Sequence, residues 1–205
     1  MISLIYPLII GYWLDVVGFC VIFYLEQRGF IVEIKFTASG EVHTLFIPGD
    51  MVFRGNLSLL CMGLKELPDL SGVTVTGDFD CSCNELMSLQ GAPKSVGGNF
   101  DCSFNKLTSL QGAPQSVGGN FDCFRNKYLM SLDGAPQTVG GDFDCSGNKL
   151  LMSLDGFTSE IGGDFICDKE SLKAKYEEIQ LAARVAAKQK EISGRLTGRA
   201  KQRKK

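Results

Sequence analysis

The sequence is poor in the residues on which many enzyme and metal sites depend. Its 205 residues include one histidine, His43, one tryptophan and 6 prolines. A single histidine argues against a histidine-based zinc site and against a Ser-His-Asp triad. No segment matches a Walker loop or a dinucleotide-binding glycine fingerprint. Because no nucleophile, base or phosphate loop recurs, the sequence predicts a protein that is not an enzyme and uses no cofactor.

Charge is also scarce, and it is unevenly divided. Charged residues make up 21% of the chain and hydrophobic residues 44%, so most of the chain can bury a core. Residues 1–168 hold 9 Lys and Arg against 19 Asp and Glu, whereas residues 169–205 hold 12 against 4. An acidic body therefore carries a basic tail, which the formal net charge of -2 conceals.

The sequence is rich in glycine, with 24 residues, and it contains an internal repeat. Units of 21 or 22 residues follow the pattern SLxGAPxxVGGxFDCSxN, and one-residue insertions lie beside Tyr128 and Leu151. One unit cannot bury its own apolar side, so the repetition predicts a stack of coils, a solenoid. The repeated residues are Phe79, Phe100, Phe121, Phe143 and Phe165, followed two positions later by Cys81, Cys102, Cys123, Cys145 and Cys167.

Alternation within each Phe-Asp-Cys segment assigns a direction to the side chains. Phe and Cys are expected to face the interior of a short strand, and Asp to face outward. An asparagine follows the first four of these cysteines by three residues, where its amide can bond backbone groups of its own coil and of the next. We therefore expect a buried ladder of Asn84, Asn105, Asn126 and Asn148.

The repeat resembles the leucine-rich repeat, with Phe and Cys in place of the strand leucines. Its N-x-L-x-S-L segment resembles the bacterial class found in secreted effectors, and the full pattern is similar to repeat proteins encoded by tailed bacteriophages. The resemblance covers about residues 55–168. It implies a solenoid with short parallel strands on one face and mostly irregular returns, and it implies little about function. The catalytic domain of effector ubiquitin ligases is not expected here.

The eight cysteines raise the alternatives of disulfides and zinc. Five of them recur at the inward strand position, which predicts reduced thiols that fill the place of a small hydrophobic residue. Stacked thiols lie within disulfide range, but parallel side chains need not meet the dihedral requirement. The isolated Cys81-Ser82-Cys83 lacks the two further ligands that zinc needs. No metal site is expected, and free thiols indicate a reducing compartment such as the cytoplasm.

The outward residues are expected to form three columns on the strand face. Two columns are acidic, and the third consists of Ser82, Ser103, Phe124, Ser146 and Asp168. The acidic columns reflect either solubility and repeat duplication or a strip for a basic partner, and they suit calcium poorly because their oxygens do not converge. Phe124 and Arg125 interrupt the repeat, and an exposed Phe is a candidate contact anchor. The candidate partner-binding residues are Asp78, Asp80, Asp101, Asp122, Phe124, Arg125, Asp142, Asp144 and Asp164.

The N-terminal segment has two interpretations. Residues 4–25 contain one charge, Asp15, and are long enough to span a bilayer. Pro7 and the central Asp15 oppose spanning, and an apolar helix is also a suitable cap for the first coil. Residues 1–29 are therefore expected to be a cap or a membrane helix. Residues 30–36 and 42–47 predict strands, so 30–54 is expected to be a strand-rich cap.

The C-terminal segment predicts an amphipathic capping helix over residues 169–193. Asp168 is a suitable N-cap, and Ser193-Gly194 is a stop signal. Residues 194–205 are then expected to be a disordered basic tail. The apolar stripe at steps of three and four consists of Leu172, Tyr176, Ile179, Ala183 and Ala186.

These features predict a non-enzymatic protein–protein interaction scaffold that presents an acidic strand face to a basic protein partner, and the resemblance implies that the chain is encoded by a bacteriophage. The alternative is a structural virion component, or a membrane-tethered protein anchored through residues 4–25. The expected location is accordingly the cytoplasm, a membrane or a virion. No aromatic residue interleaves the basic cluster of the tail, so specific nucleic-acid recognition is not expected.

Overall fold

The structure is a computed structural model that describes residues 12–15, 18–27, 30–36, 42–44 and 51–202. Side chains are described for residues 52–193 and for Arg195. The chain divides into two compact units, Met1–Asp168 and Lys169–Lys205. The first unit contains strands and the second a single helix.

The first four strands form an antiparallel sheet in chain order: β1 Tyr12–Asp15, β2 Gly18–Gln27, β3 Phe30–Phe36 and β4 Val42–Thr44. The helix expected within 1–29 is therefore wrong for residues 12–15 and 18–27, where aromatic and β-branched residues favour strands. The strands predicted at 30–36 and 42–44 are present. The rest of segment 4–25 and residues 45–47 lie outside the described residues. Within the described ranges, no helix is both long enough and apolar enough to cross a membrane.

Residues 51–168 form a parallel β-solenoid of about five turns. In chain order its strands are β5 Met51–Phe53, β6 Leu57–Ser58, β7 Val73–Val75, β8 Phe79–Asp80, β9 Ser95–Val96, β10 Phe100–Asp101, β11 Ser116–Val117, β12 Phe121–Asp122, β13 Thr138–Val139, β14 Phe143–Asp144, β15 Glu160–Ile161 and β16 Phe165–Ile166. The even-numbered strands of the solenoid form one parallel sheet, which we name the Phe sheet, and the odd-numbered strands form a second parallel sheet, which we name the Val sheet.

The Val sheet corrects the expectation of strands on one face with irregular returns. The Ser-Val segment after each Gly-Ala-Pro turn pairs in register with its copies, as Ser116 does with Ser95 and Thr138. In a stack of units of nearly equal length each segment meets its own copy, so a second run of strand-forming residues also pairs. Strand β5 pairs with β7, so residues 51–53 belong to the solenoid and not to the expected cap over 30–54.

The interior is filled by stacked rings and thiols. The rings of Phe79, Phe100, Phe121, Phe143 and Phe165 stack from coil to coil with centroids 5.4, 5.2, 5.0 and 5.9 Å apart. The inward cysteines are buried, and all seven cysteines with described side chains are free, as predicted. Burial raises the pKa of the Cys81, Cys102 and Cys123 thiols well above the usual range, so these thiols stay protonated.

The predicted asparagines form a buried ladder that joins successive coils. The amide of Asn105 donates to Cys81 O at 3.0 Å and to Cys102 O at 3.2 Å, and its Oδ1 accepts from Leu86 N at 3.0 Å. The amides of the other three donate to equivalent carbonyls. Each asparagine therefore satisfies backbone groups of two coils, which would otherwise be buried without partners.

One member of the ladder differs because of the inserted residue beside Tyr128. Leu107 N donates to Asn126 Oδ1 at 3.2 Å, but one coil later Leu129 N donates to Asn126 O at 2.8 Å. The backbone donor is thus turned away from the next asparagine. Among the described side chains, Asn148 Oδ1 is the buried polar atom that lacks a hydrogen-bond partner.

The paired glycines at the bend between the two sheets allow the coils to approach closely. A methyl group on Gly118 would overlap the carbonyl oxygen of Gly97, and one on Gly119 would overlap Asn99 Oδ1. The same overlaps recur in the neighbouring coils. The Gly-Gly pair of the repeat is therefore required by the spacing between the coils.

The second unit is a helix, α1, which runs over Glu170–Gln202. The stop expected at Ser193-Gly194 is wrong, and residues 194–202 are helical where a disordered tail was expected. A glycine within a helix costs only about 1 kcal/mol relative to alanine, and Glu191 and Arg195 form an i,i+4 ion pair of 2.6 Å that spans Gly194. Of the predicted apolar stripe, Leu172 is buried, Tyr176 and Ile179 are half-buried, and the two alanines are exposed.

Candidate functional site

The strand aspartates form an acidic column on the Phe sheet. Asp101 lies in register with Asp80 on one side and with Asp122 on the other, and Asp122 lies in register with Asp144. Each Oδ1 accepts the backbone N–H two residues later, at 2.9, 2.8, 2.8 and 2.8 Å for Ser82, Ser103, Phe124 and Ser146. These four candidate residues are half-buried and shape the turn after the strand. The next member of the column is Ile166, which is exposed.

Asp122 is electrostatically distinct within this acidic column. Burial, assisted by the charges of Asp101 and Asp144, raises its pKa to about 6 against an opposing hydrogen bond from Phe124 N–H. The hydroxyls of Ser82 and Ser146 donate to Asp80 and Asp144 at 2.6 Å, and Phe124 brings no hydroxyl to the equivalent place. Burial therefore leaves one carboxyl of the column easy to protonate.

The column of Asp78, Asn99, Asn120, Asp142 and Asp164 has a structural role of its own. The Oδ1 of each of the first four members accepts a hydrogen bond from the backbone N–H of the next member; for example, Asn99 N donates to Asp78 Oδ1 at 2.7 Å and Asp164 N donates to Asp142 Oδ1 at 2.8 Å. Asp78 and Asp142 are half-buried, and Asp164 is exposed. These side chains join the coils beside the Gly-Gly bend, so their type is explained without a ligand.

The third predicted column does not point outward as a whole. Ser82 and Ser103 are buried, and Phe124 is half-buried where full exposure was expected. The strands of the Phe sheet contain only two residues, so the alternation of faces ends before this position. The exposed ring at this edge belongs to Phe104, which is 45% exposed.

Phe104, Phe124 and Arg125 together form a compact group that we name the corner cluster. The two rings meet edge to face with centroids 5.3 Å apart. The guanidinium carbon of Arg125 lies 5.0 Å from the centroid of Phe124 and 5.6 Å from that of Phe104. The structure thus brings together Phe124 and Arg125, which the sequence singled out, and adds Phe104, which the sequence analysis missed. The sequence signal that could have identified Phe104 is its position 21 residues before Arg125, which places the two residues at equivalent positions of successive coils.

The residues of this corner share an unusual backbone conformation. Phe104 has a φ of 53° and Arg125 a φ of 54°, and the equivalent Cys61 and Cys83 both have a φ of 55°. In the next coil the position is held by Gly147. Left-handed φ values cost non-glycine residues about 1–2 kcal/mol each. We call these equivalent positions the corner column.

The described surface also contains grooves that were not predicted. A shallow groove of about 780 Å³ crosses the Val sheet over its hydroxyl and glycine residues. A smaller apolar groove of about 410 Å³ is lined by Met87, Lys106, Thr108, Tyr128, Met130 and Leu150. Tyr128 and Leu150 lie at the one-residue insertions, which was the available signal for exposed apolar side chains at this edge.

Among the described residues, no group of three or more His, Cys, Asp or Glu side chains is placed to hold a metal ion. The best-formed candidate site is the corner cluster with the acidic column beside it. Comparison of the chain with protein-family models, with curated proteins and with solved structures finds no match.

Proposed function

We propose that the chain is a non-enzymatic protein-interaction scaffold whose contact surface is the corner cluster and the adjoining acidic column. The observation that carries this proposal is the distribution of differences among the repeats. Interior positions hold the same Phe, Cys and Asn in successive coils, whereas the corner column holds Cys, Phe, Arg and Gly. Packing restricts the interior positions, so a partner surface can vary only where the side chains face solvent.

The corner cluster has the composition of an interaction hot spot. Aromatic residues and Arg are enriched at the centres of protein interfaces, where a few side chains supply most of the binding energy. The Arg125 guanidinium is held against two rings, and it forms none of the ion pairs found among the described side chains. Its N–H groups are therefore available to a partner. The coil-to-coil hydrogen bonds hold the site rigid, which reduces the entropy lost on binding.

The acidic column adds a requirement on the partner. Its aspartates present negative charge along the strand edge, which favours a protein with basic residues facing them. Phe104 favours an apolar pocket at one end of such a surface. The proposed partner therefore combines an apolar pocket that receives Phe104 with a row of Lys or Arg.

The test compares two variants that each copy residues from another coil. F124S/R125G replaces two residues of the cluster with the Ser and Gly found one coil later, at 146 and 147. The control variant M130T copies Thr108 at the apolar groove. The full chain and both variants are used as bait in a lysate of the cells in which the chain is made. The partner recovered is then purified and titrated.

The proposal predicts a partner that binds the wild-type chain and M130T equally. F124S/R125G should raise its Kd about tenfold or more, since the double change removes a ring and a guanidinium. Added salt should weaken the interaction by screening the acidic column. Failure to recover a partner, or recovery of one that binds all three proteins alike, would overturn the proposal.

A further inference from the structure

Two cysteines of the corner column do not belong to the buried set. Cys61 and Cys83 are both exposed, whereas the five cysteines at the repeated strand position are buried. They occupy the position that holds Phe104 and Arg125 in the following coils, so no packing requirement of the repeat selects a thiol there. Their presence therefore needs a separate explanation.

The fold holds these two side chains next to each other. Leu57 pairs with Phe79 and Ser58 with Asp80, and the same 22-residue offset relates Cys61 to Cys83. The offset persists beyond the strands, because Cys61 N donates to Ser82 O at 3.1 Å and both cysteines have a φ of 55°. Neighbouring parallel strands lie about 4.8 Å apart, within the range of Cα separations found in disulfides.

The two thiols also interact with each other directly. Contact between the side chains raises the pKa of Cys83, and the largest cause is a hydrogen bond with Cys61. Each of the inward cysteines, in contrast, is shielded from solvent. Among the seven cysteines whose side chains are described, Cys61 and Cys83 combine proximity with access for a reagent from solution.

We propose that Cys61 and Cys83 form a surface dithiol that low-molecular-weight disulfides oxidise to a disulfide bridge between two coils. In the first step a thiolate of the pair attacks one sulfur of the small disulfide, whose S–S bond breaks and releases one thiol. The other cysteine then attacks the mixed disulfide and releases the second thiol. The two cysteine sulfurs supply two electrons, and their two protons pass to the two released thiols.

The experiment treats the full chain with oxidised glutathione, blocks the remaining thiols with an alkylating agent, and maps the peptides by mass spectrometry. The expected product is one peptide pair linked through Cys61 and Cys83, with the five inward cysteines alkylated only after unfolding. The bridge closes a loop within the folded chain, so an upward shift in the denaturation midpoint that dithiothreitol reverses should accompany it.

Two variants make the result specific. In C61S the reaction should stop at a stable glutathione adduct on Cys83, because no second thiol is present to resolve it. In C20S the bridge should still form, which excludes the cysteine in β2 as the resolving thiol. Persistent glutathione adducts on both Cys61 and Cys83 in the wild-type chain, or a bridge to any other cysteine, would overturn the inference.

Discussion

The interior columns and the corner column of the solenoid contrast in what determines their residues. Phe121 lies between the rings of Phe100 and Phe143 at 5.2 and 5.0 Å, so its size and shape are fixed by the coils on either side. Phe104 and Arg125 are in a backbone conformation that suits glycine better. Strained conformations at a surface motivate the hypothesis that these residues have a role other than stability. The contrast separates residues that build the stack from residues that packing does not determine.

The largest expected effect breaks an interior column. Phe121→Ala removes a fully buried ring between two others and should lower the free energy of unfolding by about 3–5 kcal/mol. Phe104→Ala removes an exposed ring and should cost less than about 1 kcal/mol. Urea denaturation of the two variants checks the difference. Equal decreases in the free energy of unfolding would show that the interior ring and the corner ring contribute equally to stability, and would contradict the contrast.

The next effect compares two members of the asparagine ladder. Asn105→Ala leaves backbone groups of two coils without partners and should cost about 2–3 kcal/mol. Asn148→Ala should cost about 1 kcal/mol less, because Asn148 Oδ1 already lacks a donor. Denaturation midpoints at matched slopes measure both variants. A larger decrease in the free energy of unfolding for Asn148→Ala than for Asn105→Ala would contradict the conclusion that the inserted residue beside Tyr128 deprives Asn148 Oδ1 of its donor.

A smaller effect concerns the pH dependence of Asp122. Its folded pKa of about 6 exceeds the ordinary value of 3.8, so the folded state binds more protons between these values and stability falls as pH rises through that window. Asp122→Asn keeps the acceptor for Phe124 N–H and should raise stability at pH 7 by about 1 kcal/mol, allowing for solvent screening at a half-buried site.

The check for Asp122 is chemical denaturation at pH 4 and pH 7. The wild-type chain should lose stability between the two relative to Asp122→Asn, and the two proteins should converge at the lower pH. Asp101→Asn, in the coil that keeps the usual serine, is the matched control. The same gain in that variant would assign the effect to the acidic column in general.

The smallest expected effect concerns two glycine substitutions within the corner column, at Arg125 and at Cys83. Arg125→Gly relieves a left-handed φ but loses two ring contacts worth about 0.5–1 kcal/mol each, so its stability should change by less than about 1 kcal/mol. Cys83→Gly relieves the same strain without losing a ring contact and should be the more stable of the two. Thermal unfolding of both variants tests the order. The reverse order would mean that the ring contacts add little.

The sequence predicted the columns that depend on local alternation and exact repetition. Phe100 and Cys102 alternate with Asp101 in a strand, and Asn105 recurs at a fixed distance, so the direction of these side chains follows from spacing alone. The alternation still holds for Cys102, one residue past the strand Phe100–Asp101, but the prediction for Ser103 failed because this residue lies two positions past the strand and is buried. A rule that depends on regular backbone therefore fails within two residues of the end of a strand.

Other features depend on how the backbone is routed through three dimensions. The missing donor of Asn148 follows from one residue added in the preceding coil, and the sequence shows the addition but not which N–H it turns away. The grouping of Phe104 with Arg125 requires the register between coils and the left-handed corner. The strands at Tyr12–Asp15 and Gly18–Gln27 were missed because a long apolar run is compatible with either a helix or a sheet.

The Gly-Gly bend has a consequence for how such a chain can change its length. Each coil offers a side-chain oxygen to the coil that follows and an N–H to the coil that precedes, and the glycines admit both at close range. A whole unit spliced between two others would therefore meet a matching neighbour on either side. Duplication or deletion of complete units would therefore lengthen or shorten the solenoid while the hydrogen bonds between successive coils stay the same.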